Sequence, residues 1–272
     1  MYHPNVDSTS EVLYSPTVME RFAVVAHKGG TGKTTVSLNL AAELTGTGAN
    51  VLLIDCDPQG ALAPSLGLTT ATKPTLYEVL IGETIVTDAI KPTSFPGLSL
   101  ISSDLDLAGL EIEMGQKSGW QFALRDVLDQ LTTFDYMVLD TAPGLGVLPY
   151  LALVASTGAI MVTPPEFLAF RVLRQGMETV ERAQQQSAGL RLLGIVPTFA
   201  SHQTRHAREA LEVLRDAYGD KVLTEIPRRI AIQDATLGGL PIRDYAPKSD
   251  ASKAFAQLAS EVISRAEATK SA

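Results

Sequence analysis

Short runs of apolar residues alternate along the chain with longer segments in which apolar residues recur every three or four positions. The runs predict buried strands, because strands covered on both faces are apolar throughout, and the longer segments predict helices. We predict strands near 22–26, 51–55, 98–102, 136–140, 158–163, 192–197 and 221–224. We predict helices near 34–46, 76–81, 105–131, 146–154, 168–188, 204–217 and 249–268. This alternation is typical of an α/β fold with a doubly wound, mainly parallel sheet and helices on both faces.

The pattern shows no repeat, low-complexity run or linker, so we expect residues 21–272 to form a single domain. Residues 1–20 contain no lysine or arginine and no long apolar stretch, which argues against a signal peptide. We predict a disordered tail, and the alternative is a segment that contacts a partner. Residues 141–165 carry no charge. Because prolines and glycines interrupt that segment, we interpret it as a loop, a helix and a buried strand rather than a transmembrane helix.

A glycine-rich segment, residues 28–35, joins the first predicted strand to the first predicted helix and reads Lys-Gly-Gly-Thr-Gly-Lys-Thr-Thr. Such a turn lets backbone N–H groups surround a polyphosphate, and Lys33 adds a positive charge. The usual spacing of this motif is not met, because His27 stands where the first glycine should be. The segment carries a second lysine instead, Lys28, which is poorly placed to serve its own phosphates. One role open to Lys28 is to reach the nucleotide of a neighbouring subunit.

Two further predicted strands end in acidic residues, Asp55 and Asp57 after one of them and Asp140 after the other. Ligands of parallel sheets bind at the carboxyl ends of strands, so we expect these carboxylates to lie near the glycine-rich segment. Magnesium prefers oxygen ligands and retains waters, which suits Thr34 as a direct ligand and Asp140 as a ligand through water. Either Asp57 or Asp55 could orient a water toward a γ-phosphate. The alternative is that these aspartates cap the helices that follow.

Together these segments resemble the ParA-type partition ATPases, in the ParA/MinD branch of P-loop proteins with a deviant Walker A loop. Residues 28–35 are similar to the family's loop, with Lys28 as its signature lysine. Residues 55–60 resemble the segment whose second aspartate, here Asp57, is held responsible for water activation, and residues 134–144 resemble the Walker B segment. The Pro-Gln-Gly after the paired aspartates is typical of the partition branch rather than the membrane-bound one.

The resemblance implies the fold of a P-loop NTPase and an ATPase activity, with ATP and Mg²⁺ as cofactors. It implies catalytic roles for Lys28, Lys33 and Asp57 and metal ligation by Thr34 and Asp140. The nucleotide-binding residues that it implies are Lys28, Gly29, Gly30, Thr31, Gly32, Lys33, Thr34, Thr35, Thr198 and Pro227. Thr198 and the backbone around Pro227 would frame the adenine, with Thr198 in place of an asparagine that is often found there.

The resemblance also implies partners: a homodimer that encloses ATP, non-specific DNA, and a ParB-like activating protein. It implies a cytoplasmic, nucleoid-associated protein with no membrane partner. The net charge of −8 argues against a polyanion as a partner, yet residues 165–253 carry 13 Lys and Arg against 11 Asp and Glu. Candidates for contacts with DNA phosphates are Arg205, Arg208, Arg228, Arg229, Lys248 and Lys253. The alternative for these side chains is an ordinary solvated helix face.

Two positions depart from the family's basic pattern. Gln203 and Ala231 stand where relatives often have arginine, and Arg205 and Arg229, each two positions away, are possible substitutes. The single cysteine, Cys56, excludes an internal disulfide. It also excludes the iron–sulfur reductases that share the loop, since those need two cysteine ligands from each subunit.

Three functional hypotheses follow. The first is an ATPase that partitions DNA, and the second is an ATPase of the same chemistry that positions another cargo or acts at a membrane. The third is a metabolic P-loop enzyme that transfers phosphate to a small substrate. The C-terminal amphipathic segment contains few basic residues and is interpreted as a core helix rather than a membrane anchor. Together with Lys28 and the Pro-Gln-Gly segment, this favours the first hypothesis.

Overall fold

A computed structural model of the chain describes residues 19–268 except 70, 111–112, 114–117, 145 and 202–204, with the backbone alone described for residues 167–172. The predicted tail lies outside these residues apart from its last two positions. Glu20, which the prediction placed in the tail, is the first residue of a strand. It is buried together with Arg21, and Thr157 Oγ1 donates a hydrogen bond of 2.5 Å to its carboxylate. These polar residues are buried because they have hydrogen-bond partners. The strand therefore begins before its apolar run.

Seven strands of the described residues form one sheet. They are β1 (Glu20–Val25), β2 (Val51–Cys56), β3 (Lys91–Pro92), β4 (Leu98–Ile101), β5 (Tyr136–Thr141), β6 (Gly158–Thr163) and β7 (Arg191–Pro197). Their order across the sheet is β3-β4-β2-β5-β1-β6-β7. Every neighbouring pair is parallel except the short β3 with β4. The predicted α/β fold with a doubly wound, mainly parallel sheet is confirmed.

Helices connect these strands and cover the sheet. Those whose bounds lie within the described residues are α1 (Lys33–Thr45), α2 (Leu62–Ser65), α3 (Leu76–Ile81), α4 (Val86–Ala89), α5 (Ala123–Leu128), α6 (Val147–Val154), α7 (Phe167–Gln186), α8 (Arg205–Tyr218), α9 (Ile230–Leu237), α10 (Ile242–Tyr245) and α11 (Asp250–Ala268). Short 3₁₀ helices occupy Leu105–Gly109, Trp120–Phe122 and Gly219–Lys221.

The sheet separates the core into two halves. Alternate residues of a strand point to opposite faces, so Ala23 and Val25 of β1 pack in one half while Phe22 and Val24 pack in the other. Helices α1 and α11 contribute to the second half, and α6 to the first. Burial on both faces explains why these strands are continuous apolar runs rather than alternating ones.

Two predictions of local structure were wrong, and several elements were not predicted, namely α2, α4, α9, α10 and β3. The predicted helix 105–131 is interrupted: it opens as a 3₁₀ helix, and Gly119 adopts a φ of 79° before α5 begins. The predicted strand 221–224 is a single bridge from Val222 to Ile195, directly after a 3₁₀ helix. Helix α9 was not predicted because its apolar residues are not confined to one face. In the structure its Leu237 is 87% exposed. The hydrophobic pattern of the sequence alone predicts long regular elements. In the structure, glycines and tertiary packing divide these elements into shorter ones.

A close backbone contact fixes α9 against the rest of the fold and generates a stability prediction. Gly239 has a φ of 67°, and a Cβ added to it would lie 2.5 Å from the Cα of Gly67. Gly48 has a φ of 84° but would meet nothing within 4 Å. We expect Gly48→Ala to lose about 1 kcal/mol of unfolding free energy from the left-handed backbone alone. We expect Gly239→Ala to lose about 1–3 kcal/mol more from the steric contact.

Urea denaturation of the two variants and of the unmodified chain measures this difference. Equal losses at Gly239 and Gly48 would mean that the loop after α9 is free to move away from Gly67.

Candidate functional site

The glycine-rich segment turns sharply between β1 and α1. Gly30 and Gly32 have φ values of 71° and 88°, which are strained for residues with a side chain. Gly32 precedes the first residue of α1, Lys33, so the unpaired N–H groups of the helix point into the turn. A helix N-terminus of this kind, with positive charge and free donors, is suited to binding phosphate.

Hydrogen bonds from neighbouring strands hold this turn in shape. Thr198, at the end of β7, donates from its Oγ1 to the carbonyl oxygen of Thr31 at 2.6 Å, and it is buried. The N–H of Gly144 donates to the carbonyl oxygen of Ala26 at 3.2 Å. The sequence predicted that Thr198 frames a base. The Thr198 hydroxyl donates its hydrogen bond to the turn, and the residue also lines the cleft described below. A contact between Thr198 and the base stays a prediction.

The strand register places two buried carboxylates side by side. Asp55 of β2 pairs with Asp140 of β5, and both are fully buried. Ser37 Oγ donates to Asp140 Oδ1 at 2.8 Å, while Asp140 Oδ2 has no hydrogen-bond partner among the described residues. Burial raises the pKa of Asp140 to about 6, against the opposing effects of the Thr34 and Ser37 hydroxyls and the Lys33 charge.

The two aspartates that follow β2 have different environments. Both oxygens of Asp55 accept backbone hydrogen bonds of 3.1 Å, from the N–H groups of Asp57 and Leu62. Burial, and then the charge of Asp140, raises the pKa of Asp55 well above its usual value. Asp57 is half-buried, and its Oδ1 accepts a hydrogen bond from the N–H of Gln59. Asp55 therefore organises the turn, and of the two candidates Asp57 is the one whose carboxylate lies at the edge of the site.

Gly60 explains the tight end of that turn. It has a φ of 61°, and a Cβ at this position would lie 2.7 Å from the carbonyl oxygen of Ser103. A glycine is required here for both reasons, since the backbone is left-handed and another chain segment lies against it. The turn after the paired aspartates is thereby fixed next to the end of β4.

The two lysines of the glycine-rich segment lie in contrasting places. Lys33 is 6% exposed, and burial lowers its pKa although the charges of Asp140 and Asp57 act in the opposite direction. Lys28 is exposed at the outer edge of the turn. Lys33 therefore belongs to the interior of the site, whereas Lys28 faces outward, where another molecule has access to it.

A cleft of about 510 Å³ opens beside the turn, with a size suited to a nucleoside. Pro227, which the sequence predicted near the base, lines it together with Gly30 and Thr35. Arg228 and Arg229, for which the sequence left open a place beside the ribose or an outward orientation, also line it. Sequence reasoning missed Phe199 and the residues of α9 that form the other walls, Ile232, Gln233, Thr236 and Leu237. It also missed Ser37, although Ser37 lies one helical turn after Lys33 and so on the same face of α1.

The oxygen donors present fit a magnesium ion bound with a polyphosphate. The Thr34 hydroxyl lies next to the Asp140 carboxylate, whose Oδ2 is buried without a hydrogen-bond partner among the described residues. Hydroxyl and carboxylate oxygens, completed by water and phosphate, are the ligands that magnesium prefers. The two residues predicted as metal ligands are thus brought together at the start of α1.

The structure brings some of the predicted DNA-contacting residues together. Arg228, Arg229 and Lys253 line one cleft of about 550 Å³, and Arg228 also lines a neighbouring cleft beside α8. Within this basic cleft, Asp250 accepts hydrogen bonds from Arg229, with Nε to Oδ1 at 3.1 Å.

The other predicted basic residues lie apart from that cleft's walls. Arg205 and Arg208 are exposed on α8, where Arg205 pairs with Glu209 at 2.6 Å. Lys248 is exposed before α11. Of the two departures from the family pattern, Ala231 is half-buried on α9, and Gln203 lies outside the described residues.

Comparisons with known proteins agree with this geometry. A family model described as an AAA domain matches residues 19–191. The chromosome partitioning protein ParA of Caulobacter vibrioides is 38% identical over 249 residues, which cover 89% of this chain and 93% of that protein.

Two solved structures share the fold over nearly their whole length. Cobyrinic acid a,c-diamide synthase from Mycobacterium smegmatis, solved with an ATP analogue and magnesium, has a TM-score of 0.82 and 34% identity, covering 93% of this chain and 97% of that one. The septum site-determining protein MinD of Pyrococcus horikoshii, solved with Mg-ADP, has a TM-score of 0.78 and 28% identity, covering 92% and 98%. In the part of the chain that the structure describes, no helix is both long and apolar enough to cross a membrane.

The raised pKa of Asp140 generates a prediction about stability and pH. The folded chain holds this proton more tightly than the unfolded chain does, so the stability that it contributes is present at low pH and is lost as the pH rises through about 6. In metal-free, nucleotide-free buffer we expect the unfolding free energy to fall between pH 5 and pH 7.5. Replacing Asp140 with asparagine should reduce that fall by about 1 kcal/mol.

Chemical denaturation at several pH values tests this, with Asp88→Asn as a matched control at an exposed carboxylate. The same Asp140→Asn variant should lose the dependence of nucleotide affinity on magnesium. A pH dependence identical to that of the unmodified chain would show that Asp140 titrates as an ordinary carboxylate.

Proposed function

The chain belongs to the ParA family of P-loop ATPases, and from this premise we propose that it is an ATP-dependent switch that partitions DNA, either a chromosome or a plasmid. The observation that carries the proposal is the contrast between its two loop lysines, since Lys33 is buried in the site and Lys28 faces outward. If a second subunit packed against this face, Lys28 would lie beside the nucleotide of that second subunit. The protein would then dimerise around ATP.

The proposed mechanism assigns one task to each residue of the site. Lys33 and the N–H groups at the start of α1 bind the β- and γ-phosphates, and Asp57 orients the attacking water. Thr34 and Asp140 hold magnesium, which neutralises phosphate charge when bound. Lys28 of one subunit stabilises the charge that develops on the transferred phosphoryl group in the other. Hydrolysis is therefore slow in the monomer.

The cleft formed by Arg228, Arg229 and Lys253 is the proposed contact with DNA phosphates. Glu225 and Asp250 also line this cleft, so its three basic side chains exceed the acidic ones by one, on a chain of net charge −8. Contacts of this kind read no sequence, so the ATP-bound dimer would bind DNA anywhere on the nucleoid. A ParB-like protein that stimulates hydrolysis would release it, and its location would be the cytoplasm.

Action at a membrane, the alternative within the same chemistry, finds less support. Phe255, Leu258 and Val262 of α11 are fully buried in the core, so this helix has its apolar face already covered. It therefore offers little apolar surface to a lipid bilayer.

A metabolic synthetase is the second candidate, because one structural neighbour is named as a diamide synthase. A synthetase needs room for a second substrate next to the γ-phosphate. The cavity beside Lys28 has a volume of about 210 Å³ and is lined by Ala26, His27, Met161 and other residues. Sites for drug-sized ligands occupy about 300–1,000 Å³. This cavity is smaller than that range, whereas the cleft beside α8, which reaches Gly30 of the turn, has a volume of about 760 Å³.

Two variants separate the roles of Lys28 and Asp57. We expect Lys28→Ala to bind ATP as a monomer but to lose the ATP-dependent dimer and its hydrolysis. We expect Asp57→Ala to form the dimer in ATP and to remain in it, because only the step of hydrolysis is removed. Size-exclusion chromatography with light scattering in ATP and ADP, together with phosphate release, measures both.

Lys33→Ala serves as the control that binds no nucleotide. Normal dimers of Lys28→Ala would refute the cross-subunit role, and a monomeric Asp57→Ala in ATP would refute the assignment of Asp57.

Binding to random-sequence duplex DNA tests the basic cleft. We expect binding in ATP alone, weakening steeply with salt, and we expect Arg228→Ala to reduce the slope of log affinity against log salt by about 1. Asp250→Asn should strengthen binding several-fold and steepen the slope by about 1, because it releases Arg229 to contact a phosphate.

Lys91→Ala is the matched control, since Lys91 lies in β3 at the opposite edge of the sheet from β7. If the unmodified chain hydrolyses ATP but binds no DNA under any of these conditions, its cargo is not DNA.

A further inference from the structure

Phe199 adopts a backbone conformation that its side chain disfavours. Its φ is 53°, and among the residues that the structure describes no other non-glycine residue has a positive φ. In this left-handed region the Cβ of an L-residue crowds the backbone, which makes the conformation rare for a bulky aromatic side chain. Strain of this kind persists only where the surrounding structure imposes it.

The residues on both sides of Phe199 are fixed by hydrogen bonds to other segments. The N–H of Thr198 donates to the carbonyl oxygen of Thr163 at 2.9 Å, and its hydroxyl donates to Thr31 at 2.6 Å. The N–H of Ala200 donates to the carbonyl oxygen of Ile226 at 3.0 Å. Because these anchors lie directly before and after Phe199, the backbone between them cannot relax to an ordinary conformation.

The strained backbone places the ring beside the phosphate-binding turn. The Phe199 Cζ lies 3.5 Å from the point where a Cβ on Gly32 would stand, so the ring lies beside the turn at Gly32. The ring also lines the cleft of about 510 Å³ that Pro227 and Ile232 share. Phe199 is thus part of the wall of the cleft at the point where the cleft meets the turn.

Packing does not explain this arrangement. Phe199 is 41% exposed, so the strain is not offset by complete burial of the ring. An exposed ring in a strained conformation, located between a phosphate-binding turn and a cleft for a nucleoside, is an arrangement found at ligand sites.

We infer that Phe199 binds the adenosine part of the nucleotide, with its ring packed against the ribose and base while the turn holds the phosphates. This inference rests on the proposed nucleotide binding and adds a residue that the sequence motifs do not contain. Stacking of a base on an aromatic ring is worth about a tenfold change in affinity. Because the ring contacts only the adenosine part of the nucleotide, its removal weakens the binding of ATP and of ADP by the same factor. The binding of inorganic triphosphate is unchanged.

Three variants of the full chain separate the ring from the strain. Phe199→Ala removes the ring and keeps a Cβ, Phe199→Gly removes both, and Phe199→Tyr keeps the ring. We expect Gly and Ala to weaken ATP and ADP binding about tenfold and Tyr to bind like the unmodified chain. In the absence of nucleotide we expect the Gly variant to melt about 2–4 °C above the Ala variant, because glycine tolerates a positive φ.

The measurements are titrations with fluorescent ATP and ADP analogues, competition by inorganic triphosphate, and thermal melts. Ile85→Ala is the control, since Ile85 is an exposed apolar residue outside the cleft, at 63% exposure. Normal ATP and ADP affinity in the Gly and Ala variants would overturn the inference while leaving the proposed function intact. An unmodified chain that binds no nucleotide would overturn both, and equal weakening of inorganic triphosphate would overturn the role toward adenosine.

Discussion

The burial of like charges where β2 and β5 end is the constraint on which the site depends. The register sets Asp55 beside Asp140, both fully buried, with the single positive charge of Lys33 nearby. Two carboxylates in such a place resist ionisation, because burial and mutual repulsion act in the same direction. Ionisation of both carboxylates therefore becomes favourable when a divalent cation is bound beside them. An arrangement unfavourable for the fold alone is suited to binding magnesium.

The shape of the site is fixed before any ligand binds. Both carboxylate oxygens of Asp55 accept hydrogen bonds from backbone N–H groups, and Asp55 thereby holds the turn that contains Asp57. Thr198 holds the glycine-rich turn from the other side through the carbonyl oxygen of Thr31. Preformed donors need no reorganisation when charge develops, which is the condition for effective electrostatic stabilisation. The carbonyl oxygen of Lys28 accepts a hydrogen bond from Thr31 Oγ1, but the residue is exposed at the edge of this framework.

Much of this could be predicted from sequence, because local signals carried it. The strand, glycine-rich turn and helix around Lys33 follow each other within a short segment, and the aspartates stand directly at strand ends. The bond from Thr198 to Thr31 joins residues 167 positions apart, and no periodicity reveals it. The strain at Phe199 is equally hidden, because it arises from three tertiary hydrogen bonds around an ordinary residue. Helix α9 lacked a polar face, so its pattern did not distinguish it from a loop.

The ladder between residues 198–200 and 226–228 links the two clefts of the molecule. Ala200 accepts a hydrogen bond of 3.1 Å from the N–H of Arg228, and its own N–H donates to Ile226. Pro227, Arg228 and Arg229 each line both the cleft beside the phosphate-binding turn and the basic cleft. One short segment of the chain is therefore a wall of both clefts. In the proposed switch, ATP bound in the first cleft would act on the DNA contacts of the second through this shared wall.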